Sequence, residues 1–172
     1  MPRLHALELV PDDAGDHAVR RDWQALHDAG LASQLDHPAP TNTPHVTVLS
    51  LPELTADLEA RAAVLVLPLL PVTVRASGLA VLGGDKVTLA RLLDVPEPLT
   101  RVVLDLRTGA DGERHPGWLP HVTLARRMPR GDVQRALDVL GYDDVTLTLT
   151  TLRRWDPELH EVRVLGSDAH QD

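Results

Sequence analysis

Two stretches of this sequence repeat one order of residues: Pro44-His45-Val46-Thr47-Val48 and Pro120-His121-Val122-Thr123-Leu124. Alternate side chains of an extended strand share a face, so each stretch sets an imidazole beside a hydroxyl and turns its aliphatic residues away. Imidazole titrates near neutrality. Of two such histidines, one can be neutral and take a proton while the other is charged and gives one. Threonine adds a short, stiff hydroxyl that donates to a non-bridging phosphate oxygen. Two pairs closing on one small anionic group from opposite sides have the parts for acid–base catalysis. The pattern does not say which histidine is acid and which is base.

A lone His-x-Thr among nine histidines carries little weight. The elements around the two copies change that. Leu4 to Val10 reads as a strand ended by Pro11, and Asp12 or Asp13 caps a helix to about Asp28, with Val19, Trp23 and Leu26 on one face. A helical turn through Leu31 and Leu35 and the rigid loop His37 to Pro44 lead into a strand from His45 to Leu51. Pro52-Glu53 opens a helix to about Val66, and Val72 to Leu82 is extended. After the Gly83-Gly84-Asp85 turn, the order recurs. It runs as strand Lys86 to Leu92, helix Pro96 to Leu106, strand His121 to Arg127, helix from Gly131-Asp132 to Leu140 and strand Asp143 to Trp155. A last strand, His160 to Leu165, and a polar tail from Gly166 close the chain.

His45 and His121 lie 76 positions apart, and each precedes the third strand of its unit by the same interval. The reading is therefore one domain of two similar lobes, with repeat units at about 4–82 and 86–155 and the last strand at 160–165. Equivalent strands would face each other across a cleft. The class is α+β: a bilobal, pseudo-symmetric fold of two antiparallel sheets with flanking helices and a His-x-Thr strand in each lobe.

The two motifs resemble the signature motifs of the 2H phosphoesterase superfamily, which includes bacterial 2'-5' RNA ligases and cyclic nucleotide phosphodiesterases. The second is the sharper match, because Trp118-Leu119-Pro120-His121-Val122-Thr123-Leu124-Ala125-Arg126 is similar to the family's aromatic-x-Pro-His-x-Thr-Leu-Ala-Arg. The resemblance implies that the active site lies between the lobes and works without metal or nucleoside triphosphate. It implies that His45 and His121 are general acid and base and that Thr47 and Thr123 hold phosphoryl oxygens. The expected substrates are a small nucleotide or an RNA 2',3'-cyclic-phosphate end, or a 2'-5' phosphodiester made and cleaved reversibly. A binding module that keeps the cleft without turnover is the alternative.

Other assignments rest on geometry. Trp118, three residues before His121, is a candidate cleft wall. Arg127 shares the face of His121 if the strand stays regular, and Arg126 takes its place if the strand is bulged. Arg153, Arg154 and Trp155 read as a solvated sheet edge. The other histidines show no zinc-type spacing, and His115 sits on the loop before the second motif, within reach of the cleft.

Composition bounds the partners. A net charge of −8 argues against coating long DNA or RNA. Aromatics are 2% of residues, so base-stacking surfaces are scarce. With no cysteine there are no disulfides and no thiolate metal sites, in keeping with a cytoplasmic protein. The opening ten residues do not read as a signal peptide, and the longest apolar run, 62–74, is broken by Pro68 and Pro71, so no membrane association is expected. No cofactor is expected, and the protein is expected to be a monomer.

Overall fold

Capping and turn residues divide the chain close to where the sequence places the breaks. The computed structural model describes residues 4–113 and 115–166. It contains β1 (His5–Pro11), α1 (Asp13–Asp28), β2 (Val46–Leu51), α2 (Ala56–Val66), β3 (Val72–Gly83), β4 (Lys86–Asp94), α3 (Glu97–Thr108), β5 (His121–Pro129), α4 (Val133–Leu140), β6 (Val145–Asp156) and β7 (Glu161–Val164). The Asp12 carboxylate accepts from Gly15 N at 2.8 Å and starts α1, whose buried face includes Val19, Trp23 and Leu26. The second helix begins later than Pro52, because Thr55 caps it through Leu58 N. The turn expected through Leu31 and Leu35 is a 3-10 turn at Gln34–Asp36, closed by a capping box between Ser33 and Asp36. Gly83 makes the β3–β4 hairpin with φ of 120°, where a Cβ would stand 2.7 Å from Lys86 O. The polar tail beyond Gly166 and its His170 lie outside the described residues.

The strands are all antiparallel and follow the order β2-β1-β6-β3-β4-β5, with β7 added on β6. The two expected sheets are thus joined into one. The joint is β6, twelve residues long: its first part pairs with β3 and its later part with β1. The order reads the same from either end when strands are matched by their place in the repeat. The third strand of each repeat has crossed to lie beside the first strand of the other.

The helices cross in the same way. α1 packs on β5 and α4, while α3 packs on β2 and α2. Asp22 of α1 holds the buried Arg91 of β4 through two hydrogen bonds of 2.6 and 3.2 Å. Leu7, Leu9, Trp23, Leu49, Leu106, Leu124 and Leu149 belong to one continuous core that spans both halves. The terminal strands β2 and β5 touch. The sheet therefore curls until its two outer edges, which carry the two motifs, meet. Among the described residues no helix is long and apolar enough to cross a membrane.

Candidate active site

Each motif strand is held by the opposite half of the chain. Trp118, from the second repeat, donates its indole N–H to Thr47 O at 2.9 Å. Trp23, from the first repeat, donates to Thr123 O at 3.1 Å. An outer strand leaves some carbonyls without a ladder partner, and these indoles satisfy one in each motif. The two histidines are oriented alike. Nδ1 of His45 lies 2.8 Å from Thr43 O, and Nδ1 of His121 lies 2.7 Å from Leu119 O. A carbonyl only accepts, so Nδ1 carries the proton in both rings and Nε2 is the nitrogen left for chemistry.

Both strands are bulged at the same place. Leu7 and Glu8 of β1 pair with Leu49 and Thr47, leaving Val48 as an extra residue. Leu89 and Ala90 of β4 pair with Ala125 and Thr123, leaving Leu124 as an extra residue. Val48 and Leu124 are equivalent positions of the repeat. An extra residue shifts the alternation by one, so the next residue to reach the cleft is Ser50 in β2 and Arg126 in β5. Arg107, buried at the end of α3, donates to Val48 O at 2.9 Å and so fixes the first bulge from across the molecule.

This corrects the assignment of Arg127. Arg126 lines the cleft and lies near enough to His45 to act on its charge. Arg127 takes a left-handed φ of 57° at a second register shift, is exposed and lines no compartment of the cleft.

The cleft has two compartments that meet at Leu4, Thr47 and Ser50. The larger, about 490 Å³, is mostly apolar; Pro52, Trp118 and Leu119 line it together with His121, His115 and Arg107. The smaller, about 340 Å³, is lined mainly by polar and charged residues, among them His45, Glu8, Arg126, Arg153 and Gln34, with Trp155 beside them. The structure thus brings His45, Thr47, His121 and Trp118 to one cleft. Thr123 is half-buried on β5 and lines neither compartment.

The polar compartment rests on an ion pair. Arg153 donates from Nε to Glu8 Oε2 at 2.8 Å and from NH1 to Thr43 Oγ1 at 2.7 Å. Glu8 and Arg153 are both buried, and the other Glu8 oxygen lies 3.5 Å from His45 Nε2. Burial pushes the His45 imidazole below its ordinary value of 6.5. The Glu8 carboxylate and the Thr43 carbonyl oppose that shift, and the Arg153 and Arg126 guanidiniums add to it.

The solvated-edge reading of Arg153 and Trp155 is overturned too. A register shift in β6 leaves Thr150 unpaired between Leu149 and Thr151, which turns Arg153 and Trp155 into the cleft. His115 reaches the cleft wall, as its loop position allowed, and so does His37. Sequence reasoning missed Glu8, Gln34 and Ser50. Only the bulges bring Ser50 into the cleft, and no spacing announces them.

Among the described residues, His5, Asp156 and Glu158 offer ligand atoms within 4.8 Å of one another. They line neither compartment, and Arg154 already stands 3.6 Å from Asp156, where a metal charge would lie.

A family model described as the 2'-5' RNA ligase superfamily matches residues 11–161. Among solved structures, TT0787 of Thermus thermophilus is similar at 17% identity and a TM-score of 0.60, over 94% of each chain. E. coli LigT complexed with 3'-AMP is similar at 18% identity and a TM-score of 0.55, over 95% of this chain and 94% of that one. A third structure, described as a phosphoesterase, aligns at 17% identity and a TM-score of 0.53, over 95% of this chain and 94% of that one. No curated protein matches. At these identities the likeness is one of fold.

Proposed function

The chain belongs to the 2'-5' RNA ligase superfamily, and from that premise we propose that it hydrolyses 2',3'-cyclic phosphates or makes and cleaves 2'-5' phosphodiesters. His45 is the general base and His121 the general acid. The observation that carries this reading is the matched geometry of the two imidazoles, each with Nδ1 tied to the carbonyl two residues back, which leaves Nε2 as the nitrogen that exchanges a proton, with Glu8 3.5 Å from that of His45. The roles follow from surroundings. Burial favours the neutral form of His45, which is the form a base needs. His121 opens on the other, apolar compartment of the cleft, so it is placed to give its proton to the leaving ribose oxygen while His45 serves the attacking water.

In hydrolysis His45 Nε2 takes a proton from water, and the water oxygen forms a bond to phosphorus. The bond from phosphorus to one ribose oxygen breaks, and that oxygen takes the proton from His121 Nε2. The product is a ribose monoester. With a 5'-hydroxyl in place of water and the 3' oxygen leaving, the same transfers make a 2'-5' linkage. The Arg126 guanidinium and the Thr47 hydroxyl, which line the same compartment as His45, would hold the phosphoryl oxygens as they gather charge. The two histidines account for both proton transfers, so the proposed mechanism needs no metal.

The test is turnover of a 2',3'-cyclic-phosphate dinucleotide in excess chelator. Wild type should be active, and His45→Ala and His121→Ala should each lose on the order of a hundredfold or more. Turnover that survives both substitutions would remove the assignment. Binding of the dinucleotide without turnover would favour a nucleotide-binding module.

A further inference from the structure

We propose that the polar compartment is a nucleobase subsite, in which the Gln34 carboxamide reads the edge of the base and Trp155 forms part of its wall. The proposal rests on the phosphoesterase reading only for placing the phosphate near His45 and Arg126. It starts from an unused group. Gln34 is 4% exposed and lines the compartment, yet its Oε1 is buried with no hydrogen-bond partner. A buried amide oxygen without a partner carries a desolvation cost, which a bound donor would remove.

The backbone beneath Gln34 is firmly held while its side chain is not used. The Ser33–Asp36 capping box closes the turn, and Ser33 Oγ donates to Trp23 O at 2.7 Å. Asn42 Nδ2 donates to Gln34 O at 2.8 Å and to His37 O at 2.9 Å, tying the loop that forms the compartment's outer wall. The turn packs against β5, beside the second motif. A rigid mount carrying an unpaired acceptor at its head is how a binding group is preorganised.

The chemistry of the head selects the ligand. A carboxamide offers one acceptor and one donor side by side, and the hydrogen-bonding edge of a base offers the complement. Trp155 is half-buried in the same compartment, with its ring set edge-on to His160 at 6.1 Å, and every base has a face to lay against an aromatic wall. A cavity of about 340 Å³ has room for a base.

Calorimetric titration of wild type and Gln34→Met with adenosine 2'-monophosphate and with the base-free methyl riboside 2'-monophosphate tests this. Met keeps the volume and removes the unpartnered oxygen, so the melting temperature should hold or rise. The nucleotide should bind the variant roughly three- to tenfold more weakly, the size of one hydrogen bond, while the base-free ligand changes by less than about twofold. Equal weakening of both ligands, or no weakening of either, overturns the proposal. A marked fall in melting temperature with loss of both would make Gln34 structural.

Gln34→Glu sharpens the test. A carboxylate only accepts, so affinity should move toward guanosine 2'-monophosphate, whose base sets two donors side by side. An unchanged order of bases would rule out direct reading. Both assays measure binding, so a protein that binds bases through Gln34 but turns nothing over would sink the phosphoesterase reading and leave this one standing.

Discussion

Beside Thr47 the sheet carries Glu8 and then Arg153; at the matching register beside Thr123 it carries Ala90 and then Ala80. The backbones of the two halves correspond closely, with the same bulge, the same histidine tether and an indole from the opposite repeat on each threonine carbonyl. Their side chains diverge. One half lays a buried ion pair under its histidine and opens on a polar compartment, and the other lays alanines and opens on an apolar one. Symmetry of the chain makes two equivalent tools. Asymmetry of the surroundings gives them different work, since a proton acceptor and a proton donor need different environments.

The largest expected effect tests that division. In the histidine variants, what remains of activity should show different pH profiles. Wild type should give a bell. Replacing His45 should flatten the rising acidic limb, because that limb reports loss of the base's proton, and replacing His121 should flatten the falling limb. Profiles that lose the opposite limbs would exchange the roles.

Next in size is the ion pair that only the first half possesses. Arg153→Met strands Glu8 in the interior and should cost about 3–5 kcal/mol in urea unfolding. Glu8→Gln combined with Arg153→Met should recover most of that loss, because no buried charge then lacks its partner. A cost that persists in the double variant would mean that packing, not charge, holds this corner.

The bulge gives a third comparison, within one strand. Arg126→Ala should lower kcat/KM by about tenfold or more, the value of a hydrogen bond to a charged group. Arg127→Ala should stay within about twofold. Arg127→Gly should be neutral or stabilising by up to about 1 kcal/mol, since a non-glycine residue at a φ of 57° is strained. Equal losses for Arg126→Ala and Arg127→Ala would mean that both arginines reach the cleft.

The smallest effect is on stability against pH. A buried histidine with a lowered folded value favours folding most fully above its unfolded value of about 6.5, and that contribution is lost as pH falls through the folded value. Urea midpoints should therefore decline from pH 7.5 toward pH 5, and His45→Gln should reduce the slope. An unchanged slope would assign the acid sensitivity to other groups.

Much of this was legible in the chain. Period-two and period-3.6 patterns, bounded by Asp12, Pro52, Gly83 and Pro96, place most elements within a few residues, since they report which side of an element meets the core. Element ends moved where a local cap competed, as Thr55 does for α2. The candidate pairs at His45 and His121 were visible because a repeat doubles a weak signal. Arg127 in place of Arg126, and Arg153 and Trp155 as a solvated edge, failed for one shared reason. Arg127 was read on regular alternation and Arg153 and Trp155 as the exposed end of a strand, and each lies beyond a bulge that changes which face it takes.

By itself, the sequence determined the chemistry on offer: two imidazole–hydroxyl pairs, repeated at one interval, in strands that side-chain periodicity alone could place. The tertiary structure decided which further residues join them. Glu8 and Arg153 meet across the β1–β6 ladder over a separation of 145 residues, and Trp23 crosses to Thr123 over 100. Such contacts depend on sheet order and on single-residue register shifts. Both are set by how the whole sheet closes on its core, and local propensity carries no record of that closure.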